Sequence, residues 1–117
     1  MTSSPQITLQ SVSQALSLNP LVPGSRAGSP ILGALASDLL SFVMAEGQAG
    51  WVWVTIQTHS NVVAVATLND MAAIIVASGF EPDEDTIARA EEEGVGLLTT
   101  EQSAYQVSGR LYELGIR

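Results

Sequence analysis

The polar segment 57–61, QTHSN, contains His59, the one histidine of the 117-residue chain, between two apolar runs. A histidine that is hydrogen-bonded to a serine and a carboxylate can act as a general base. On paper such a triad joins His59 and Asp38 to a serine, either Ser37 or Ser60. No G-x-S-x-G segment, the turn that exposes the serine nucleophile of α/β hydrolases, accompanies these residues. The pattern therefore predicts no catalytic residue. A small hydrolase or phosphotransfer enzyme that uses His59 and Asp38 stays an alternative.

The residue types also argue against metal and cofactor chemistry. Zinc and iron sites need three or four ligands, which a chain with one histidine and no cysteine would have to take from several carboxylates. Without cysteine the chain forms no disulfide, thiol nucleophile or iron–sulfur ligand. Without lysine it has no Walker-type phosphate lysine and no Schiff base. Neither a metal nor a cofactor is predicted.

The charge of the chain is strongly negative. The chain has twelve acidic residues and four basic ones, all arginines, which gives a net charge of −8. Such a surface repels nucleic acid and anionic membranes, so neither is expected as a partner. The longest apolar runs, of about seven residues, are too short to span a bilayer. The N-terminus lacks the basic and apolar regions of a secretory signal, and together with the absence of cysteine this indicates a cytoplasmic protein.

Short apolar runs alternate with helical periods through residues 31–116. Strands are predicted at 31–36, 51–57, 71–79 and 95–100, and helices at 7–16, 38–47, 61–70, 81–94 and 101–115. The run 62–68, VVAVATL, also suits the second strand of a hairpin, but Ser60 and Asn61 are good helix caps and favour a helix. The sequence predicts an α/β fold. It is a single three-layer α/β/α domain over 1–117, with a mostly parallel sheet of about four or five strands and helices on both faces. Residues 1–30 form an N-terminal helix and loop, and 31–117 the alternating core.

In a parallel sheet, ligands bind beyond the carboxyl ends of the strands, which meet along one edge. The predicted strands end at Ser37-Asp38, at 58–61, at 79–81 and at 99–101. The free N–H groups of the following helices suit a phosphate or carboxylate. The same side chains could serve only as helix caps, with Ser37 as the cap of the second helix and Asp38 in its first turn. The candidate ligand-binding residues are Ser37, Asp38, Thr58, His59, Ser60, Asn61, Glu81, Thr99 and Thr100.

Two apolar surfaces are candidates for self-association. Helix 38–46 has apolar side chains on so many sides that we expect it to be buried on more than one side or to cover a subunit contact. The last helix carries a stripe that includes two tyrosines. The candidate interface residues of a homodimer are Leu40, Phe42, Val43, Tyr105 and Tyr112. Gly33 and Gly109, inside a strand and a helix, each indicate close approach of a neighbouring element.

Four segments resemble the DRTGG domain family: SDLLSFVMA (37–45), WVTIQTHSNVVAVATL (53–68), AAIIVASGFEPDEDTIARAEEEGVGLLTT (72–100) and SGRLYELGI (108–116). The closing part is also similar to the N-terminal domain of bacterial HPr kinase/phosphorylase. Members of the family stand alone or are fused to CBS-domain pyrophosphatases and phosphotransacetylases, and association through this domain is common. The resemblance implies an α/β regulatory or ligand-sensing module, a homodimer, and a link to [FeFe]-hydrogenase or energy metabolism. It also favours the helix at 62–68.

The chain departs from the family at its namesake motif. Where D-R-x-x-T-G-G is expected, residues 28–34 read GSPILGA, so that only Gly33 matches, and Arg26 lies just upstream. Because the T-H-x-N and S-D-L-L segments are intact, a retained ligand site is expected at Asp38, His59 and Asn61. The first interpretation is therefore a non-catalytic domain that dimerises and binds a small anionic metabolite, a nucleotide or a protein partner. A purely structural subunit of a larger complex is the other alternative.

Overall fold

Five strands form one sheet in the computed structural model, which describes residues 6–117. In chain order they are β1 (Asn19–Val22), β2 (Gly33–Ala36), β3 (Trp51–Thr55), β4 (Ala73–Val76) and β5 (Gly96–Thr99). They lie side by side in the order β1-β5-β4-β3-β2. Strands β2 to β5 are parallel, and β1 pairs antiparallel with β5. The predicted mostly parallel sheet is confirmed. The division of the chain at residue 30 stays a prediction, although β1 from the first part joins the same sheet as the rest.

Five helices in the same described residues cover both faces of the sheet. They are α1 (Leu9–Ala15), α2 (Leu40–Glu46), α3 (Asn61–Leu68), α4 (Glu84–Glu93) and α5 (Ala104–Glu113). Helices α2, α3 and α4 bury side chains against one face, and α1 and α5 against the other. This is the predicted three-layer α/β/α arrangement. The run 62–68 is helical, as preferred over the hairpin.

The central strands are apolar on both faces because each face is covered by helices. In β3, Trp53 contacts the layer of α2 to α4, while Val52 and Val54 contact the layer of α1 and α5. All four residues of β4 are buried. Successive strand side chains point to opposite faces, so a strand between two helical layers has no face that is open to solvent, and apolar residues are favoured along its length. Each buried valine or isoleucine stabilises the fold by about 1.5–3 kcal/mol.

The apolar run 31–36 is typical of a buried strand, and this prediction of burial is wrong. Strand β2 is shorter than 31–36 and lies at the edge of the sheet, where Leu32 just before it is 69% exposed. Only Gly33 is buried in β2. A Cβ on Gly33 would lie 2.5 Å from the indole of Trp51, so the glycine is required by a close neighbour, as predicted.

Helix α2 is exposed on most of its surface. It has only 7 residues, or about two turns, and only Val43 is buried. Of the two alternatives expected for this helix, burial on more than one side within its own chain is therefore wrong, and cover of a subunit contact stays a prediction. The interface role of Val43 is also wrong, because its side chain is 0% exposed in the core of its own chain. Leu40 is half-buried and packs against the core, whereas Phe42 stays 45% exposed.

The loop between β1 and β2 runs along the edge where the parallel strands begin. There Arg26 forms a salt bridge with Asp70 and donates a second hydrogen bond to its carbonyl oxygen at 3.0 Å. The N–H of Ser25 donates to Gly94 O at 2.9 Å. Since Asp70 and Gly94 precede β4 and β5, Arg26 is held at the edge opposite the strand carboxyl ends.

Candidate functional site

The carboxyl ends of β2 to β5 meet along one edge of the sheet, and the antiparallel β1 begins at the same edge. An open depression of about 420 Å³ lies there, beyond β4, β5 and the start of β1. Its lining residues come from the β4–α4 loop, the β5–α5 loop and the chain entering β1: Ser17, Asn19, Gly79, Phe80, Glu81, Thr99, Thr100, Glu101 and Gln102. Three of the nine predicted ligand-binding residues, Glu81, Thr99 and Thr100, are among them. Their binding role stays a prediction.

One wall of the depression is a left-handed turn. Ser78 and Gly79 have φ of +63° and +76°. The N–H of Ser78 donates to Gln102 O at 2.8 Å, and that of Gly79 to Thr100 O at 2.9 Å. A Cβ on Gly79 would lie 2.9 Å from Glu101 Oε1, so this carboxylate sits directly over the glycine. The β4–α4 and β5–α5 loops are therefore fixed to each other by backbone bonds.

Gln102 holds another wall in place through its amide. Its Nε2 donates to Leu16 O at 2.9 Å and to Thr100 Oγ1 at 3.1 Å. Its Oε1 accepts a hydrogen bond from Arg110 Nη1 at 3.1 Å. The other guanidinium nitrogen, Nη2, donates to Ala15 O at 2.9 Å. The depression is thus connected by hydrogen bonds to both α1 and α5.

The charge of the depression is negative. Among the described residues that line it, the charged ones are Glu81 and Glu101, both exposed carboxylates. A bare phosphate would be repelled here, whereas hydroxyl and amino groups could donate to the carboxylates and a cation would be attracted. Phe80 is 50% exposed and offers an aromatic face to a ligand. The lining favours a ligand with hydrogen-bond donors and a flat apolar part.

Ser37 and Asp38 lie at the same edge but outside the depression, where they join β2 to β3. Asp38 Oδ1 accepts hydrogen bonds from Thr55 Oγ1 at 2.8 Å and from Ile56 N at 3.0 Å. The carbonyl oxygen of Ser37 accepts the indole N–H of Trp53 at 2.7 Å. The prediction that Asp38 lies in the first turn of α2 is therefore wrong. The N-cap position is Leu39, which makes no side-chain cap hydrogen bond. Ser37 Oγ accepts the N–H of Leu39 at 3.2 Å.

His59 acts as a cap of helix α3. Its Nδ1 accepts the backbone N–H of Asn61 at 3.1 Å, which places the proton of the neutral ring on Nε2. Ser60 occupies the N-cap position but makes no side-chain cap bond. In the described part of the chain, no hydrogen bond joins His59 to Asp38, Ser37 or Ser60, so these residues do not form a Ser–His–Asp triad.

Thr58 and Asn61 have structural contacts of other kinds. Thr58 O accepts the N–H of Asp83 at 3.1 Å and the hydroxyl of Thr86 at 2.7 Å, which fixes the start of α4. Asn61 is exposed and is the first residue of α3. Thr58, His59, Ser60 and Asn61 are thus grouped around two helix starts and do not line the depression.

Sequence reasoning did not select Ser17, Asn19 and Gln102, and it named Gly79, Phe80 and Glu101 only as strand ends. The missing information was the position of β1. Residues 1–30 are predicted from the sequence to be a helix and a loop, and Asn19-Pro20 is typical of a loop, but proline is also tolerated in an edge strand. An antiparallel β1 brings residues 17–19 beside the end of β5.

The described residues lack two further features. Residues 6–117 contain no group of three or more histidine, aspartate or glutamate side chains placed to hold a metal ion. None of the helices in this range is long and apolar enough to cross a membrane.

The sequence profile of the DRTGG domain matches residues 31–114, which is most of the chain. The chain belongs to the DRTGG domain family. Among solved structures, this DRTGG domain is similar to the CBS and DRTGG domains of the regulatory region of Clostridium perfringens pyrophosphatase, crystallised with the activator diadenosine tetraphosphate. The TM-score is 0.70 at 15% sequence identity. The match covers 87% of this chain and 44% of the other, so the two share a fold and this chain spans less than half of that regulatory region. No match to a curated protein was found.

Proposed function

We propose that this DRTGG domain is a non-catalytic regulatory module that binds a nucleotide in the depression beyond β4, β5 and β1. The observation that carries the proposal is the depression itself. Its volume of about 420 Å³ falls within the range of roughly 300–1,000 Å³ of small-molecule sites. It also lies at the sheet edge where α/β proteins bind ligands. The related regulatory region was crystallised with a dinucleotide activator, which supports this ligand class.

The lining suggests how a nucleotide would be oriented. Phe80 can stack on the base, and the carboxylates of Glu81 and Glu101 can accept hydrogen bonds from ribose hydroxyls, as acidic residues do in dinucleotide-binding folds. The same two carboxylates repel phosphate. The nucleoside therefore occupies the depression while the phosphates stay at its rim, neutralised by Mg²⁺ from solution. This revises the expectation of a bare anionic metabolite.

The absence of catalysis is supported by the hydrogen bonds of the residues that an enzyme would need. Asp38 is engaged by Thr55 and Ile56, and His59 caps α3. Neither is among the residues lining the depression. These contacts do not favour the alternative of a hydrolase or phosphotransfer enzyme built on these two residues.

A regulatory module needs a second molecule to which it reports. The family resemblance supports a homodimer in the cytoplasm and a protein partner in [FeFe]-hydrogenase or energy metabolism.

The test is calorimetry and thermal unfolding with adenosine, AMP, ATP and diadenosine tetraphosphate, each with and without Mg²⁺. A ligand at about 100 times its dissociation constant should stabilise the domain by about 2.7 kcal/mol. Binding should be weakened by Phe80→Ala and Glu101→Gln, and Mg²⁺ should matter only for the phosphorylated compounds. The matched control, His59→Ala, should bind normally.

Chromatography of the ligand after incubation checks for turnover. Chemical conversion of a bound nucleotide would contradict the non-catalytic assignment. If none of the four compounds gives binding heat or raises the melting temperature, the proposal of nucleotide binding is wrong and the alternative of a structural subunit is left. Loss of binding in His59→Ala, with Phe80→Ala unaffected, would move the site to segment 57–61.

A further inference from the structure

Gly109 lies in the middle of α5, where no contact with the rest of residues 6–117 requires a glycine. A glycine in a helix interior is less favourable than alanine. At Gly33 the close approach of Trp51 explains the choice, but a Cβ on Gly109 would meet no described atom within 4 Å beyond its helix backbone. The predicted close neighbour of Gly109 is therefore not found in residues 6–117.

The residues around Gly109 form the exposed side of α5. Tyr105, Gly109 and Tyr112 fall within about 60° of one another around the helix axis. Tyr105 is 88% exposed and Tyr112 is 59% exposed, with the guanidinium of Arg117 over its ring at 4.5 Å. Because Gly109 has no side chain and lies between the two tyrosines, the helix backbone is exposed in a notch between their rings. Tyrosine and arginine are enriched among the residues that dominate protein interfaces.

We propose that α5 is the self-contact of this domain, with the α5 helix of a second copy crossing antiparallel at Gly109. The inference rests on the proposed homodimer and specifies its surface. A glycine at the crossing lets two backbones approach closely, in the way small residues do elsewhere at helix contacts. A twofold axis there places Tyr105 of each copy beside Glu113 of the other, so that the phenol can donate to the carboxylate.

The distribution of charge favours a second copy as the occupant. The exposed side of α5 carries Arg110 and Glu113, which sum to zero in a chain of net charge −8. The acidic helix α4, with residues 91–93 all glutamate, lies on the opposite face of the sheet. Two copies that meet through α5 keep their α4 helices separated by both sheets, well beyond the screening length of about 8 Å at physiological salt. Approach through α4 would bring like charges together.

The size of the contact predicts its strength. A helix of 10 residues is about 15 Å long. One such helix pair buries less than the roughly 1,200 Å² of a stable interface. The dimer should therefore be weak and concentration-dependent.

The experiment is sedimentation of the full chain over a wide concentration range, with Gly109→Gln as the decisive variant. In the monomer the new side chain enters open space and improves helix propensity, so the melting temperature should rise by about 2–5 °C. In the dimer it separates the two helices, so the dissociation constant should rise about tenfold or more. Gly28→Gln is the matched control, because Gly28 also has open space around it but lies outside α5. It should leave the dimer intact.

The other outcomes separate the two proposals. A wild-type chain that is monomeric throughout overturns the homodimer and, with it, the α5 contact. A dimer that survives Gly109→Gln but is lost in Phe42→Ser keeps the homodimer and moves the contact to α2. A dimer that survives both variants overturns the α5 contact alone.

Discussion

Asp38 accepts hydrogen bonds from the hydroxyl of Thr55, at 2.8 Å, and from the N–H of Ile56 through the same carboxylate oxygen. Thr55 is 1% exposed and is the last residue of β3, so the Asp38 carboxylate is bound at the carboxyl end of this strand. This contact favours a structural role for Asp38 over a ligand-binding role.

Asp38→Ala should destabilise the domain by about 1.5–3 kcal/mol, because two hydrogen bonds to a charged group are lost and the buried Thr55 hydroxyl loses its acceptor. Chemical unfolding measures this change. Thr55→Val combined with Asp38→Ala should be less destabilising than the sum of the single changes, because the unsatisfied hydroxyl is removed. Unchanged stability with lost nucleotide binding would instead make Asp38 a ligand residue.

Gly79→Ala should reduce stability by about 1–2 kcal/mol and weaken ligand binding. The left-handed φ of +76° is strained for alanine, and the new methyl displaces Glu101 from its position over the turn. The control is Gly28→Ala, which meets no described atom within 4 Å and should be neutral or slightly stabilising. Equal effects of the two changes would show that the turn at Gly79 is not constrained.

His59→Ala should reduce stability by about 0.5–1 kcal/mol through the loss of the α3 cap, with nucleotide affinity unchanged. His59→Asn is the informative comparison, since its short side chain can also accept the Asn61 N–H and should restore most of the stability. Thermal unfolding of the three proteins gives the ranking. If asparagine is no better than alanine, capping is not the role of His59.

Arg26→Ala should leave nucleotide affinity unchanged, because Arg26 lies at the opposite edge of the sheet from the depression. Its ion pair with Asp70 is solvent-exposed, so a double-mutant cycle with Asp70→Ala should give a coupling energy of only about 0.2–1 kcal/mol that decreases with salt. A loss of binding in Arg26→Ala would mean that Arg26 replaces the arginine missing from the family motif.

The sequence predicted most of the fold because its signals there are local. The run 71–77 is apolar throughout because β4 is buried on both faces, and the acids before Ile87 mark the start of α4. Strand order is not local. Thr99 ends one parallel strand and His59 follows another, but β4 lies between these two strands, and the depression that Thr99 lines does not reach His59. Ser17 and Asn19 enter the site only because β1 pairs with β5, a contact over some 80 residues that periodicity does not reveal.

The two hydrogen bonds of Arg110 tie the ligand depression to the outer side of α5. One guanidinium nitrogen donates to Gln102 and the other to the end of α1. If a ligand took over the Gln102 amide, Arg110 would lose one of its two partners and could turn toward the surface beside Gly109. Ligand binding and the proposed self-contact would then be linked reciprocally: the factor by which ligand changes the association of two chains would equal the factor by which association changes the affinity for ligand. A domain coupled in this way would respond to its own concentration as well as to that of its ligand.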